Sequence, residues 1–290
     1  MTTSNDQPKS SNVYISDSES GAEMARLIDQ DRLITKGMGG LFSERSNDFS
    51  GIHWVLDGAC GPGGWALDVA HTYPDRKVVG IDISTTMITY AQARAKAQLL
   101  SNVTFLVMSA LQPLNFAAET FDLVNVRAAS GFVLGAQWPI FLQHCFRVLR
   151  PGGILRLTEG EVVGLSNSSA CEKMASWATL LLHRRGYGFS HDGSHYGVFP
   201  MMGLLLQDAG CVNIQIKPHM LDYSIGTALY ESQYQNYMAW PMLLKSAFIR
   251  DGIATEEIFD QTYNQMLEEM QQPRFRGLWS MFTVWGEKPT

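Results

Sequence analysis

From Trp54 onward the chain alternates short apolar runs of strand length with stretches of helical spacing, a rhythm that few folds accommodate. "HWVLDGA" is an apolar run ending at small residues, and Gly63 to His71 then reads as a helix. "KVVGID" is a second buried strand, followed by "STTMITYAQARAKAQLL", a helix opened by Ser84 as N-cap. "NVTFLVM" and "FDLVNV" are a third and a fourth strand. "WPIFLQHCFRVL" has helical spacing and stops at the turn Pro151-Gly152-Gly153, and "ILRLTEG" is a fifth strand. Strands joined through helices in this way lie mostly parallel, with right-handed crossovers. The expected fold class is α/β, a doubly wound, mostly parallel sheet with helices on both faces.

After the fifth strand the rhythm breaks. Residues 162–196 read as an insert, helical around Ala170–Arg185 and then loose and polar through "GYGFSHDGSH". "VFPMMGLLLQDAG" resumes as a helix closed by Gly210, and "VNIQIKP" is a strand. Residues 219–276 form a longer insert, rich in Tyr, Met and Gln and mostly helical in pattern, before "LWSMFTVWGEKP" supplies a last strand. Long excursions from a compact core serve as lids or binding elements. Their alternative use is a homodimer interface.

Composition narrows the partners. At 290 residues, 46% hydrophobic and 17% charged, the chain can bury a full core. Its net charge is −6 and it has no run of five basic residues, so neither nucleic acid nor an anionic membrane surface is expected as main partner. No stretch of about 20 apolar residues could span a bilayer. The polar start, "MTTSNDQPKSSN", lacks the apolar core of a signal peptide and reads as disordered. Cys60, Cys145, Cys171 and Cys211 are scattered, which suggests reduced thiols in a cytoplasmic protein and no zinc site. No His, Asp or Glu pair shows a ligand spacing, so no metal is expected.

The glycine-rich turn after the first strand, "VLDGACGPGGWALDVA", fits two ligands. Gly61-x-Gly63-x-x-Ala66 matches the dinucleotide fingerprint, with Asp82 about 20 residues on. Asp57 separates the readings by the sign of its charge. It sits at the carboxyl end of the first strand, where a pyrophosphate would meet like charge. The segment from Val55 to Ala70 holds no Lys or Arg to offset it, and adds Asp68. A ligand carrying an ammonium and a sulfonium would instead be attracted.

At these residues the chain resembles the class I S-adenosylmethionine-dependent methyltransferases. "VLDGACGPGG" is similar to their motif D-x-G-x-G-x-G, and four further pieces follow in the family's order: "VVGIDIS", "VMSALQPLNF", "FDLVNVR" and "VLRPGGILRL". Together they cover roughly residues 50–160. "EMARLIDQDRL" and "HYGVFPMMGLLLQDAG" extend the resemblance toward the quinone-biosynthesis-like, small-molecule branch. Two positions depart from the pattern. Ala59 stands where the motif has its first glycine, and Ser109 where the family has an acid beside adenine.

The resemblance implies a Rossmann-like sheet of seven strands with helical inserts forming a lid. It divides the chain into an N-terminal arm and helical cap (1–45), a cofactor-binding core (46–161), an insert (162–196), a core continuation (197–218), a helical lid (219–276) and a final strand (277–290). It places S-adenosylmethionine against Asp57, Gly58, Ala59, Gly61 and Gly63 of the turn. Asp82 and Ile83 at the second strand's end, Met87, Ser109, Ala110, Leu111, Asn125 and Arg127 complete that set. Within it Asp57 binds the ammonium, Asp82 the ribose hydroxyls and Arg127 the carboxylate.

The acceptor side is read more thinly. Glu159 and Glu161 leave the fifth strand two residues apart, on one face if the strand continues, as base or acceptor anchor. His183, with His191 and His195, lies in the first insert, and "HRR" at 183–185 could meet an anionic acceptor or form a solvated helix face. Met220, Tyr223, Tyr230, Tyr234, Tyr237, Met238, Trp240 and Met242 suit either a pocket wall over an apolar molecule or a helical core. The expected activity is methyl transfer by in-line displacement to a small, largely apolar metabolite: a secondary metabolite, isoprenoid, quinone or phenolic. A non-catalytic binding module and a nicotinamide oxidoreductase are the alternatives.

Overall fold

The computed structural model describes residues 21–162 and 164–290. The polar first dozen residues, read as disordered, lie outside the described residues. Five strands run parallel in the order β3 (Val103–Val107), β2 (Lys77–Asp82), β1 (Trp54–Gly58), β4 (Phe121–Arg127) and β5 (Leu149–Gly160). The chain steps outward from β1 to β3 and then returns to β4. That reversal opens a crevice beyond the carboxyl ends of β1 and β4.

Beside β5 the sheet turns antiparallel. β8 (Gly277–Glu287) pairs with it and with β7 (Val212–Asp222). An eighth, two-residue strand, β6 (Leu165–Ser166), departs from the expected seven. Pairing between β5 and β8 runs out at Gly160 opposite Met281, so Gly277 and Leu278 project past β5 and offer β6 a free edge. The sheet remains α/β and mostly parallel, as the strand–helix rhythm implies.

Strand residues alternate between two cores. Leu56, Val124, Val126, Leu155 and Leu157 face one, with α4 (Trp138–Val148) and α6 (Phe199–Asp208) over them. Val55, Leu123 and Ile154 face the other, under α2 (Gly64–Thr72), α3 (Thr85–Ala97) and the segment carrying Phe42 and Phe49. A third, mostly helical cluster joins α1 (Gly21–Met38), α5 (Ser169–Arg184), α7 (Tyr230–Arg250) and α8 (Glu256–Met270) around Trp177, Phe248 and Phe259. Three of these helices begin where a hydroxyl can accept an otherwise orphaned amide. Ser84, Ser168 and Thr255 accept from the N–H of Met87, Cys171 and Ile258.

Tyr223 and Tyr237 are fully buried in that helical cluster, their hydroxyls 3.1 Å apart. Met220, Met238 and Met242 are exposed. The aromatic and thioether stripe of the second insert is therefore helical core and surface, the second of its two readings. No helix among the described residues is long and apolar enough to cross a membrane.

Candidate functional site

A cavity of about 530 Å³ lies at the crevice. Its floor is the glycine turn, which the sequence bends in a specific way. Gly63 has φ +77°, and a Cβ there would lie 2.8 Å from the Phe105 ring and 2.9 Å from Ala91. Ala59, in the place of the motif's first glycine, adopts φ +53° despite its Cβ. Asp82 ties the turn to its neighbour. Its Oδ2 accepts the N–H of Gly61 at 2.9 Å and its Oδ1 the N–H of Ser84 at 2.9 Å.

Asp57 stands in the cavity wall, yet its side chain is only 3% exposed. Its Oδ1 accepts from Asn125 Nδ2 at 2.7 Å. Burial pushes its pKa up to about 7, while the Arg127 guanidinium and the Asn125 hydrogen bond pull the other way.

The roof is α1. Leu27, Gln30, Asp31 and Ile34 line the cavity from this helix. The Asp31 carboxylate pairs with the Arg127 guanidinium, whose Nη1 also donates to Thr35 Oγ1 at 3.1 Å. Asp31 packs so tightly on the start of α2 that a Cβ at Gly64 would collide with it. α1 is held in turn by α7, where Arg26 donates to Asn236 Oδ1 at 3.1 Å.

The two ends of the cavity differ. One is bounded by Ile83, 48% exposed, with Met87 buried beneath and the loop Met108–Gln112 beside it. Ser109 Oγ accepts from the N–H of Leu111 at 3.3 Å, which fixes that loop. The other end is bounded by Ala128, Phe132 and Gln137 from the segment after β4. The charged side chains of the wall are Asp31, Asp57, Asp82 and Arg127, three carboxylates against one guanidinium. The glycine turn supplies no cation of its own against Asp57; Arg127, arriving from β4, offsets that charge.

Ten of the thirteen residues assigned to the cofactor line this cavity, namely Asp57, Ala59, Gly61, Asp82, Ile83, Met87, Ser109, Ala110, Leu111 and Arg127. Gly58, Gly63 and Asn125 stand behind them. Asn125 is fully buried beneath Asp57.

Glu159, Glu161 and His183, the acceptor-side candidates, are absent from the wall. The Glu159 carboxylate is fully buried, accepting the N–H of Ala129 at 2.7 Å, the N–H of Ser130 at 3.3 Å and the Ser130 hydroxyl at 2.5 Å. Its burial raises its pKa to about 7, and it latches the segment after β4 from behind. Glu161 accepts the amides of Val162 and Tyr196, with burial raising its pKa. His183 packs under Gly193. His191 and His195 are exposed. Of the "HRR" cluster, Arg184 and Arg185 bind Asp251 at the end of α7, so the cluster joins two helices. Asp68 lies exposed on α2, away from the cavity.

Residues 55–153 match the family described as a methyltransferase domain. A demethylmenaquinone methyltransferase of Lactococcus lactis is 34% identical over 111 residues, 38% of this chain and 42% of that protein. A ubiquinone/menaquinone biosynthesis C-methyltransferase of Syntrophotalea carbinolica is 32% identical over 163 residues, 55% of this chain and 65% of that protein. The match thus spans less than half the length of the Lactococcus relative. Among solved structures, a phosphoethanolamine N-methyltransferase of Haemonchus contortus, in complex with phosphomonomethylethanolamine and S-adenosylhomocysteine, superposes with a TM-score of 0.55. It is 17% identical and covers 94% of this chain and 58% of that one, a likeness of fold.

Proposed function

We propose that this chain, whose residues 55–153 match a methyltransferase domain, is a class I S-adenosylmethionine-dependent methyltransferase that binds this cofactor at the β1–β4 crevice and methylates a small, largely apolar molecule. The observation that carries the reading is the charge of the wall: above about pH 7, where Asp57 is ionised, three carboxylates face one guanidinium. A zwitterionic amino acid joined to a sulfonium has net charge +1 and suits such a wall, whereas a diphosphate does not. The volume of about 530 Å³ falls within the ordinary range of small-molecule sites.

When bound, S-adenosylmethionine supplies a methyl group on a sulfur that is already a good leaving group. Asp57 would hold the ammonium, and Arg127, which has donors beyond those given to Asp31 and Thr35, the carboxylate. Asp82, whose carboxylate is fixed by the amides of Gly61 and Ser84, would take the ribose hydroxyls. Ile83 and Met87 would pack on the purine, with Ala110 and Leu111 bordering it. Each of these groups binds and orients. Transfer needs little else, because the reaction is an in-line displacement favoured by alignment and a dry site.

The acceptor would enter between α1 and the segment after β4. Leu27, Ile34, Ala128 and Phe132 make that end apolar, and the side-chain amides of Gln30 and Gln137 give it hydrogen-bonding groups. This favours a neutral ring or chain carrying one polar function, such as a quinone, phenolic or isoprenoid. The relatives named for menaquinone and ubiquinone chemistry support the same class. α1, braced by α7 of the second insert, would act as the lid that excludes water. Incubation with methyl-labelled S-adenosylmethionine and a panel of quinone, phenolic, isoprenoid and polyketide acceptors tests this. Label in an extracted apolar product is the expected result; cofactor binding without transfer to any acceptor, including those in an extract of the source cells, is the result against it.

A further inference from the structure

Behind the cavity lies a row of buried polar residues that the cofactor contacts do not explain. β1, β4 and β5 are in register as Val55, Leu123 and Ile154 across one row, all buried and apolar. Two residues closer to the cavity, on the same face, the row becomes Asp57, Asn125 and Arg156. Arg156 is 1% exposed. Its Nη1 donates to Asn125 Oδ1 at 2.6 Å, and Asn125 Nδ2 donates onward to Asp57 Oδ1 at 2.7 Å. On its far side the guanidinium pairs with Glu44, whose side chain is fully buried, and it rests over the Phe42 ring at 5.6 Å.

An amide side chain flips freely between two orientations unless its partners choose one. Arg156 can only donate, so it forces the Asn125 oxygen toward itself and the Asn125 N–H group toward Asp57. A row of apolar residues like its neighbour would pack the sheet, and a buried ion pair adds little net stability over well-packed apolar side chains. The chain nevertheless places four polar groups in line, ending at the one carboxylate that would meet the ligand's ammonium.

We propose that Arg156, backed by Glu44, is a positioning residue for the amino-acid end of the cofactor, acting through Asn125 on Asp57. The inference rests on the cavity being an S-adenosylmethionine site. Its consequence is selective: loss of Arg156 lets Asn125 turn and Asp57 move, while Asp82, Ile83 and the Met108–Gln112 loop are untouched. Binding of ligands that carry the amino-acid moiety falls, and binding of the nucleoside end does not.

The test is calorimetric titration of wild type, Arg156→Met and Glu44→Gln with two ligands, S-adenosylhomocysteine and 5′-methylthioadenosine, which lacks the amino-acid moiety. Arg156→Met is expected to weaken S-adenosylhomocysteine about tenfold or more, the loss of a charge-assisted contact, and to leave methylthioadenosine within about twofold. Glu44→Gln keeps the shape of the pair, so it serves if Arg156→Met does not fold, and it shifts the same ratio less. The pH profile is a second readout. Asp57 faces Asn125 and Arg127 from β4, Asp31 from α1, Arg156 from β5 and the Cys60 thiol of its own loop. Removing Arg156 moves the midpoint for S-adenosylhomocysteine binding to higher pH. Equal loss of both ligands with an unmoved midpoint makes the row merely structural and overturns the inference. A wild type that binds neither ligand overturns the cofactor reading itself.

Discussion

Asp57→Asn separates what this carboxylate costs the fold from what it gives the ligand. The unfolded chain ionises it near 3.8, whereas burial holds the native group protonated up to about 7. Between those values the native state binds a proton that the unfolded state has lost, so stability falls as pH rises. Above about 7 both states are ionised and the penalty is constant. At 1.36 kcal/mol for each unit, the full penalty is about 4 kcal/mol at pH 8 and about 1.5 kcal/mol at pH 5. Asparagine carries no charge and its oxygen still accepts from Asn125 Nδ2. The variant should therefore be more stable than wild type in the ligand-free state, by a margin that widens by about 3 kcal/mol between pH 5 and pH 8. For a chain of this size that is roughly 6 °C in Tm. Taking the difference between the two proteins at each pH cancels the other titrating groups, Glu159 included. The assay is thermal unfolding of both proteins at the two pH values without ligand. A gap that does not widen, or a variant less stable at pH 8, refutes the burial argument. Affinity for S-adenosylmethionine should fall in the same variant, the usual opposition between a strained site and a stable fold.

Other substitutions test other parts of the site. Ala59→Gly relieves a left-handed residue of about 1 kcal/mol or more, partly offset by added freedom in the unfolded chain, so a net gain of about 0.5 kcal/mol in urea unfolding is expected; a loss would mean that the methyl is needed for packing. Glu159→Ala strands two amides and a hydroxyl after β4 and should cost about 3 kcal/mol in denaturant unfolding, against a negligible change if they find other partners. Asp31→Ala removes the partner of Arg127 and should speed hydrogen exchange across α1 about tenfold; unchanged exchange would show that α7 alone holds the lid.

What could be read in the sequence was local. β1, β2 and β5 are apolar runs that end at Gly58, Asp82 and Gly160, and the turn residues Gly61 and Gly63 bend where their spacing says. Ten of the residues expected to meet a cofactor therefore line the cavity. What escaped depends on residues far apart in the chain. Arg156 in "ILRLTEG" looks like a solvent-facing break in a strand, because its partner Glu44 lies 112 positions earlier. Glu159 and Glu161 do leave β5 at the right edge, but the burial that makes Glu159 a latch comes from Ser130 and the covering Tyr196, which no strand pattern carries. The helical character of "EMARLIDQDRL" was visible in its family likeness, though not that Asp31 would pack against Gly64 and close the cavity. The aromatic stripe of the second insert fits a core and a pocket equally well until its neighbours are known.

A crevice at β1 and β4 suited to a cationic sulfur nucleoside should refuse a dinucleotide. Parallel calorimetric titrations of the intact protein at pH 8, with S-adenosylmethionine in one cell and NADH in the other, put that to the test. One equivalent of S-adenosylmethionine is expected to bind, and NADH to give no heat beyond dilution. Saturable NADH binding with a silent S-adenosylmethionine titration would contradict it.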